Sequence, residues 1–158
     1  MDQDLIDKML EYMGSHKVAR LALSDGQKPS AYTVYYLNEG LHLFFETEHH
    51  SEKVHIMEAN PMVSLTIDED YEDFREIKGI QLFGKIRIHS KRKIPHIVKA
   101  YEDKFPVVME LGGIPDNHVF VEVIPEKIYY LDYTETLGYK KVYYHDEDDK
   151  KKKYKIGW

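Results

Sequence analysis

Between Val18 and Tyr133 the chain is a succession of short β-rich runs cut by turn residues, and this pattern restricts it to a mainly β fold. Met62 to Asp68 and Ile80 to Ile88 alternate apolar and polar side chains, so each run would bury one face and leave the other to solvent. Runs at 17–24, 30–37 and 41–47 precede them, separated by Asp25-Gly26 and Asn38-Glu39-Gly40, residues that tolerate the positive φ of tight turns. These three are expected to form an antiparallel meander. Val119 to Ile124 and Lys127 to Tyr133 read as two further strands, interrupted at Pro125, which has no N–H for a ladder. Thirteen tyrosines and six phenylalanines suit pleated, half-buried surfaces. Six or seven short strands with peripheral helices suggest a closed barrel, which removes exposed edges.

Three segments carry helical spacing. Leu5, Ile6, Met9, Leu10 and Met13 give residues 3–13 an apolar stripe, with Gly14 as the expected stop. Ser51 opens a helix over 51–59 that Asn60-Pro61 closes, because a residue before proline avoids the α region. Residues 91–104 form the third, with Pro95 accepted in the first turn. The acidic stretch 68–76 reads as a loop, and Gly112-Gly113-Ile114-Pro115 as an irregular connection. Residues 1–142 are expected to make a single domain. Beyond Val142 the hydrophobic pattern fades, and 143–158 read as a charged, disordered tail unless Tyr154, Ile156 and Trp158 dock.

Composition removes several function classes. There is no cysteine, so disulfides, thiolate metal sites and a cysteine nucleophile are excluded. A net charge of −6 argues against nucleic acid, and the basic run Lys150 to Lys153 follows an acidic run, Asp146 to Asp149, that largely cancels it. No stretch approaches the roughly 18 apolar residues of a membrane span, and the acidic start Met1-Asp2-Gln3-Asp4 does not suit a secretory signal. A cytoplasmic location is expected. His49, His50 and His55 lie close in sequence but form no His-Glu-x-x-His arrangement, so no metal site is expected. No Gly-x-Ser-x-Gly elbow or dinucleotide fingerprint is present.

The most informative stretch runs from Leu43 to Val54, where a strand ends in Thr47, a short loop follows, and Ser51 and Lys53 start a helix. A helix start presents unpaired N–H groups and partial positive charge, to which two hydroxyls and an ammonium add donors suited to a phosphate monoester. The same residues also fit a plain cap with a solvated lysine. Gln81, flanked by Ile80 and Leu82, offers an amide either to solvent or to the polar edge of a ring system. Thr33, Val34 and Tyr35, in the aromatic run Pro29 to Leu37, suit either a core or a wall for a planar ligand.

In order and spacing, Leu21-Ala22-Leu23, Asp25-Gly26, Pro29 to Leu37, Phe45 to Thr47, Ser51-Glu52-Lys53, Asn60-Pro61-Met62-Val63-Ser64-Leu65 and Gln81-Leu82-Phe83-Gly84 resemble the pyridoxamine 5′-phosphate oxidase-like FMN-binding split barrels. The resemblance covers about residues 15–90. It implies a six-stranded antiparallel split β-barrel and a homodimer with FMN at the subunit interface. Carried over by position, Thr47, Ser51 and Lys53 would hold the FMN phosphate, Thr33, Val34 and Tyr35 would line the isoalloxazine, and Gln81 would bond its polar atoms. It also implies an FMN-dependent oxidoreductase acting on a small-molecule substrate or electron donor, with no catalytic side chain assigned. The alternatives are a non-catalytic flavin sensor, or a barrel holding haem or a deazaflavin. Departures matter too. Glu52 stands where the family often has arginine, Leu37 where the true oxidase has a substrate-phosphate lysine, and the C-terminal Arg-Leu-His-Asp-Arg signature is missing. The general-stress-protein branch is the closer likeness, and vitamin B6 oxidation is not expected.

Overall fold

The computed structural model describes residues 2–145 and the backbone of residues 154–157. One antiparallel sheet contains strands β1 (Val18–Ser24), β2 (Pro29–Tyr35), β3 (Leu37–Glu39), β4 (His42–Glu48), β5 (Met62–Ile67), β6 (Lys78–His89), β7 (His118–Asp132), β8 (Lys140–His145) and β9 (Tyr154–Gly157). The order is β2-β1-β5-β6-β7-β4-β3, with β8 added to β7 and β9 to β8. Period-two alternation decides which side is core. Leu21, Leu65, Leu82, Ile128 and Tyr143 form one cross-sheet row, and all five are buried inside the curl.

Helix α1 (Gln3–Ser15) starts where the Asp2 carboxylate accepts the Leu5 N–H at 3.0 Å, and buries Leu5, Ile6, Met9, Tyr12 and Met13 against that core. It runs through Gly14, the expected stop, to Ser15. Helix α2 (Glu52–Ala59) ends at Asn60, whose amide donates to the Ser24 carbonyl at 2.9 Å and so fixes α2 to the end of β1. The expected helix over 91–104 is divided. Pro95 lacks the N–H that would bond the Lys91 carbonyl, so Lys91–Lys93 make a separate 3₁₀ turn before α3 (Pro95–Lys104). After the single turn α4 (Val107–Glu110), the chain enters β7. Ile97, Tyr101 and Phe105 of this region pack on Leu37, Phe44 and Phe120, making a second apolar cluster outside the curl.

Further expectations are corrected. The first three strands do not form a meander: β2 pairs with β1, whereas β4 pairs with β7 and with the short β3. The run 30–37 breaks at Tyr36, whose ring is fully buried and whose N–H is taken by the Lys17 carbonyl. Among the described residues the barrel is therefore not closed by hydrogen bonds, and β2 and β3 end the path on opposite lips. β7 is continuous through Pro125. One edge of β7 is shared between β4, up to Val123, and β8, from Lys127, so proline falls where neither neighbour pairs with it. On the other edge the register shifts between Phe83 and Gly84, where a Cβ on Gly84 would lie 2.1 Å from the Ile124 carbonyl oxygen. Finally, β8 crosses the boundary placed at Val142, and the backbone of 154–157 pairs with it. The rest of the expected tail lies outside the described residues. No helix among the described residues is long and apolar enough to cross a membrane.

Candidate functional site

Thr47, the last but one residue of β4, is a buried polar residue, 7% exposed, opposite Val119 of β7. Its hydroxyl lies 3.3 Å from that of Ser51, the N-cap of α2. The turn is drawn tight by the Ser51 N–H to the Glu48 carbonyl at 3.0 Å and by the His49 N–H to the Asn117 carbonyl at 2.8 Å. Ser51 accepts from the Val54 N–H at 3.4 Å and, through its carbonyl, from the His55 N–H at 3.2 Å. The N–H groups of Glu52 and Lys53 remain at the helix start, where α geometry gives them no carbonyl. Both hydroxyl contacts are at the long end of the hydrogen-bond range, so these donors are weakly engaged.

The charged side chains of the first turn go to β2. Tyr32 donates its hydroxyl to Glu52 Oε1 at 2.5 Å, and Lys53 Nζ sits 4.9 Å from the centroid of the same ring. The hydrogen bond to the Glu52 carboxylate is the main reason the Tyr32 phenol is held above its ordinary pKa. Sequence reasoning placed Tyr32 in an aromatic wall and, with Tyr35 and Tyr129, among the side chains able to donate a proton to substrate, not beside Glu52. Its pairing with Glu52 depends on how α2 packs against the sheet, for which no local signal exists.

Thr33 and Gln81 share the outward face of the sheet. They lie in one cross-sheet row, Thr33, Arg20, Thr66, Gln81 and Tyr129. Three strand spacings separate Thr33 from Gln81, about 14 Å. Arg20 and Thr66 were missed, although each is a polar residue at an alternating position of a predicted strand. Arg20, Ala22, Ala31, Ser64, Thr66, Gln81 and Phe83 line a shallow groove of about 250 Å³ on this face. Tyr35, 57% exposed, also faces outward, with its ring edge-on to Phe105 at 5.7 Å. Val34 points the other way into the core, so only its backbone can meet a ligand on the outer face. The structure thus places Thr47, Ser51 and Lys53 in one turn and Thr33 with Gln81 in one row.

Beside the turn, His49, Ser90, Lys91, Arg92, Asn117 and His118 border a cleft of about 480 Å³. His118 is bonded to Glu46, and the Lys91 ammonium donates to the carbonyls of Ile114 and Pro115 at 3.2 and 2.7 Å. Further along the sheet, buried Glu122 accepts from His42 Nδ1 and His89 Nε2, both at 2.8 Å. These bonds, His42 first, pull its carboxyl down to about 2 against the opposing effect of burial. Among the described residues no three His, Asp or Glu side chains are arranged so that they could hold a metal ion.

The sequence model of the pyridoxamine 5′-phosphate oxidase family matches residues 5–132. The chain belongs to that family. It is similar to general stress protein 26 of Bacillus subtilis strain 168, 27% identical over 126 residues that cover 80% of this chain and 87% of the relative. Solved structures share the fold of this oxidase-family chain. A putative pyridoxamine 5′-phosphate oxidase from Listeria innocua superposes with a TM-score of 0.68 at 22% identity, covering 81% of this chain and 98% of its own. An FAD-binding protein from Mesorhizobium loti gives 0.61 at 22% identity, covering 77% and 87%. A haem storage protein from Vibrio cholerae gives 0.64 at 16% identity, covering 76% and 89%. The fold is therefore the split barrel of this family, on which neighbours that bind flavin and haem are both built. Among the described residues the sheet has nine strands, β3, β8 and β9 extending the six that the resemblance implies.

Proposed function

We propose that this protein is an FMN-binding oxidoreductase whose cofactor phosphate sits at the start of α2. The observation that carries the reading is the pair of loosely bonded hydroxyls, Thr47 and Ser51, 3.3 Å apart at the start of the helix whose first turn carries Lys53. Two hydroxyls, two N–H groups and one cation match the acceptor oxygens and charge of a phosphate monoester. Glu52, whose charge opposes such an anion, is bonded to Tyr32. Thr33, the backbone of Val34, Tyr35 and Gln81 would present the outward face of the sheet to the flavin ring. When bound, the flavin supplies the hydride and electron chemistry, and these residues supply binding, orientation and polarity.

A homodimer belongs to the same proposal. The groove of about 250 Å³ is smaller than the ~300–1,000 Å³ usual for a ligand pocket, so one chain offers a platform rather than an enclosure. Met62 and Phe83, 47% and 40% exposed, flank that platform and give a second copy an apolar surface to cover.

Absorption spectra of the purified protein, followed by titration with FMN, test the cofactor. A two-band flavin spectrum and saturable binding are expected. A Soret band, or a deazaflavin spectrum without flavin, would replace FMN with haem or a deazaflavin. Reduction of the holoprotein by NADH or NADPH and reoxidation by an acceptor then test turnover. Failure across a broad panel of donors and acceptors would make it a flavin-binding sensor instead.

A further inference from the structure

Glu52 and Lys53 are neighbours of opposite charge in the first turn of α2, and both side chains are long enough to reach an anion held at that helix start. Left unconstrained, Glu52 would repel a phosphate and would compete with it for Lys53. In the structure both side chains are engaged by Tyr32 instead. The Glu52 carboxylate takes the Tyr32 hydroxyl at 2.5 Å, and Lys53 lies over the Tyr32 ring, 4.9 Å from its centroid, with no ion pair to any described residue. Tyr32 comes from β2, twenty residues earlier, and its ring packs against the core from an inward position of that strand. The contact is therefore anchored in the sheet rather than in the turn.

We infer that Tyr32 is the positioning residue of the phosphate turn: its hydroxyl holds Glu52 out of the anion's path, and its ring keeps the Lys53 ammonium beside the helix start. The inference rests on the flavin-phosphate reading above and adds to it a determinant of specificity. Discrimination between FMN and riboflavin, which differ only in the phosphate, depends on the Tyr32–Glu52 hydrogen bond. Phenylalanine at this position keeps the ring, its packing and its face for Lys53, while releasing Glu52.

The experiment is a flavin-fluorescence titration of the full chain with FMN and with riboflavin, for the wild type, Tyr32→Phe, Glu52→Gln and the double variant, each checked for an unchanged melting profile. The wild type binds FMN more tightly than riboflavin. Tyr32→Phe weakens FMN by about three- to tenfold, the scale of one solvent-screened charge, and changes riboflavin by less than about twofold. The double variant returns FMN affinity to within about twofold of wild type, because a neutral glutamine leaves no charge to restrain. Unchanged FMN affinity in Tyr32→Phe, an equal loss for both flavins, or failure of Glu52→Gln to rescue would each overturn the role of Tyr32 while leaving the phosphate site standing. Equal wild-type affinities for FMN and riboflavin would instead overturn the phosphate site itself, and this inference with it.

Discussion

The turn at Thr47–Lys53 and the outward row through Thr33 and Gln81 are assembled in opposite ways. The turn spans seven consecutive residues, and its shape comes from a cap, a tight backbone bond and the end of one strand. The row takes one residue from each of several strands and exists only when every register is right. A point charge can be met by a few donors gathered locally, whereas a flat ring needs a surface that only the folded sheet provides. Mutations in the two regions should therefore fail differently, and β7, which pairs with both β4 and β6, should affect both.

The largest effect is expected at the register of the row. Gly84→Ala places a Cβ 2.1 Å from the Ile124 carbonyl oxygen, a backbone atom with little room to yield, so stability should fall by about 3 kcal/mol or more. Chemical denaturation measures it, and a wild-type midpoint would show that the bulge adapts. Next comes the strand shared by both regions. The Glu122 carboxyl, about 2 in the folded chain against an ordinary 4.5, contributes stability that is complete above pH 4.5 and is lost as pH falls toward 2. The contribution is on the order of 3 kcal/mol. Denaturation of Glu122→Gln against wild type should show a gap at pH 6 that narrows by pH 3, and a gap constant across that range would detach the carboxylate from the acid sensitivity.

The smaller effects separate phosphate from ring. Lys53→Ala should cost FMN about 1.5–3 kcal/mol of binding, the range for a charge-assisted hydrogen bond, while riboflavin is unaffected. Gln81→Ala should cost both flavins alike, about 1 kcal/mol. If Lys53→Ala weakened riboflavin as much as FMN, or Gln81→Ala spared riboflavin, the division of labour between turn and row would be wrong.

The turn was legible in the sequence because its chemistry is local: a threonine ending a strand, a serine cap and a lysine one turn into a helix can be read in a single window. The strand segments 18–24 and 62–67 were legible for the same reason, since alternation and the Asn60-Pro61 stop need no knowledge of neighbours. Pairing was not. Nothing in residues 37–48 indicates that β4 lies against β7, some seventy-five residues later, rather than against β2. Pro125 looked like a break because its cost depends on which strand pairs with it, and β8 decides that from beyond residue 139. Glu122 meets His42 and His89 across sequence separations of 80 and 33, so no spacing rule could have found the trio. Tyr32 was visible as an aromatic residue, but its hydrogen bond to Glu52 was not.

Tyr36 gives the open side of the barrel a particular mechanical character. β2 and β3 are the two lips of the curl, and the chain crosses from one to the other through this single residue. Its hydroxyl donates to the Met13 carbonyl near the end of α1 at 2.7 Å, and its N–H is held by Lys17 at 3.0 Å. Any gaping of the seam must therefore pivot at one buried phenol fastened to the N-terminal helix. That makes α1 a strut bracing the seam from inside, and it links the separation of the lips, one bearing Thr33 and the other leading to Thr47, to the seating of the first fifteen residues.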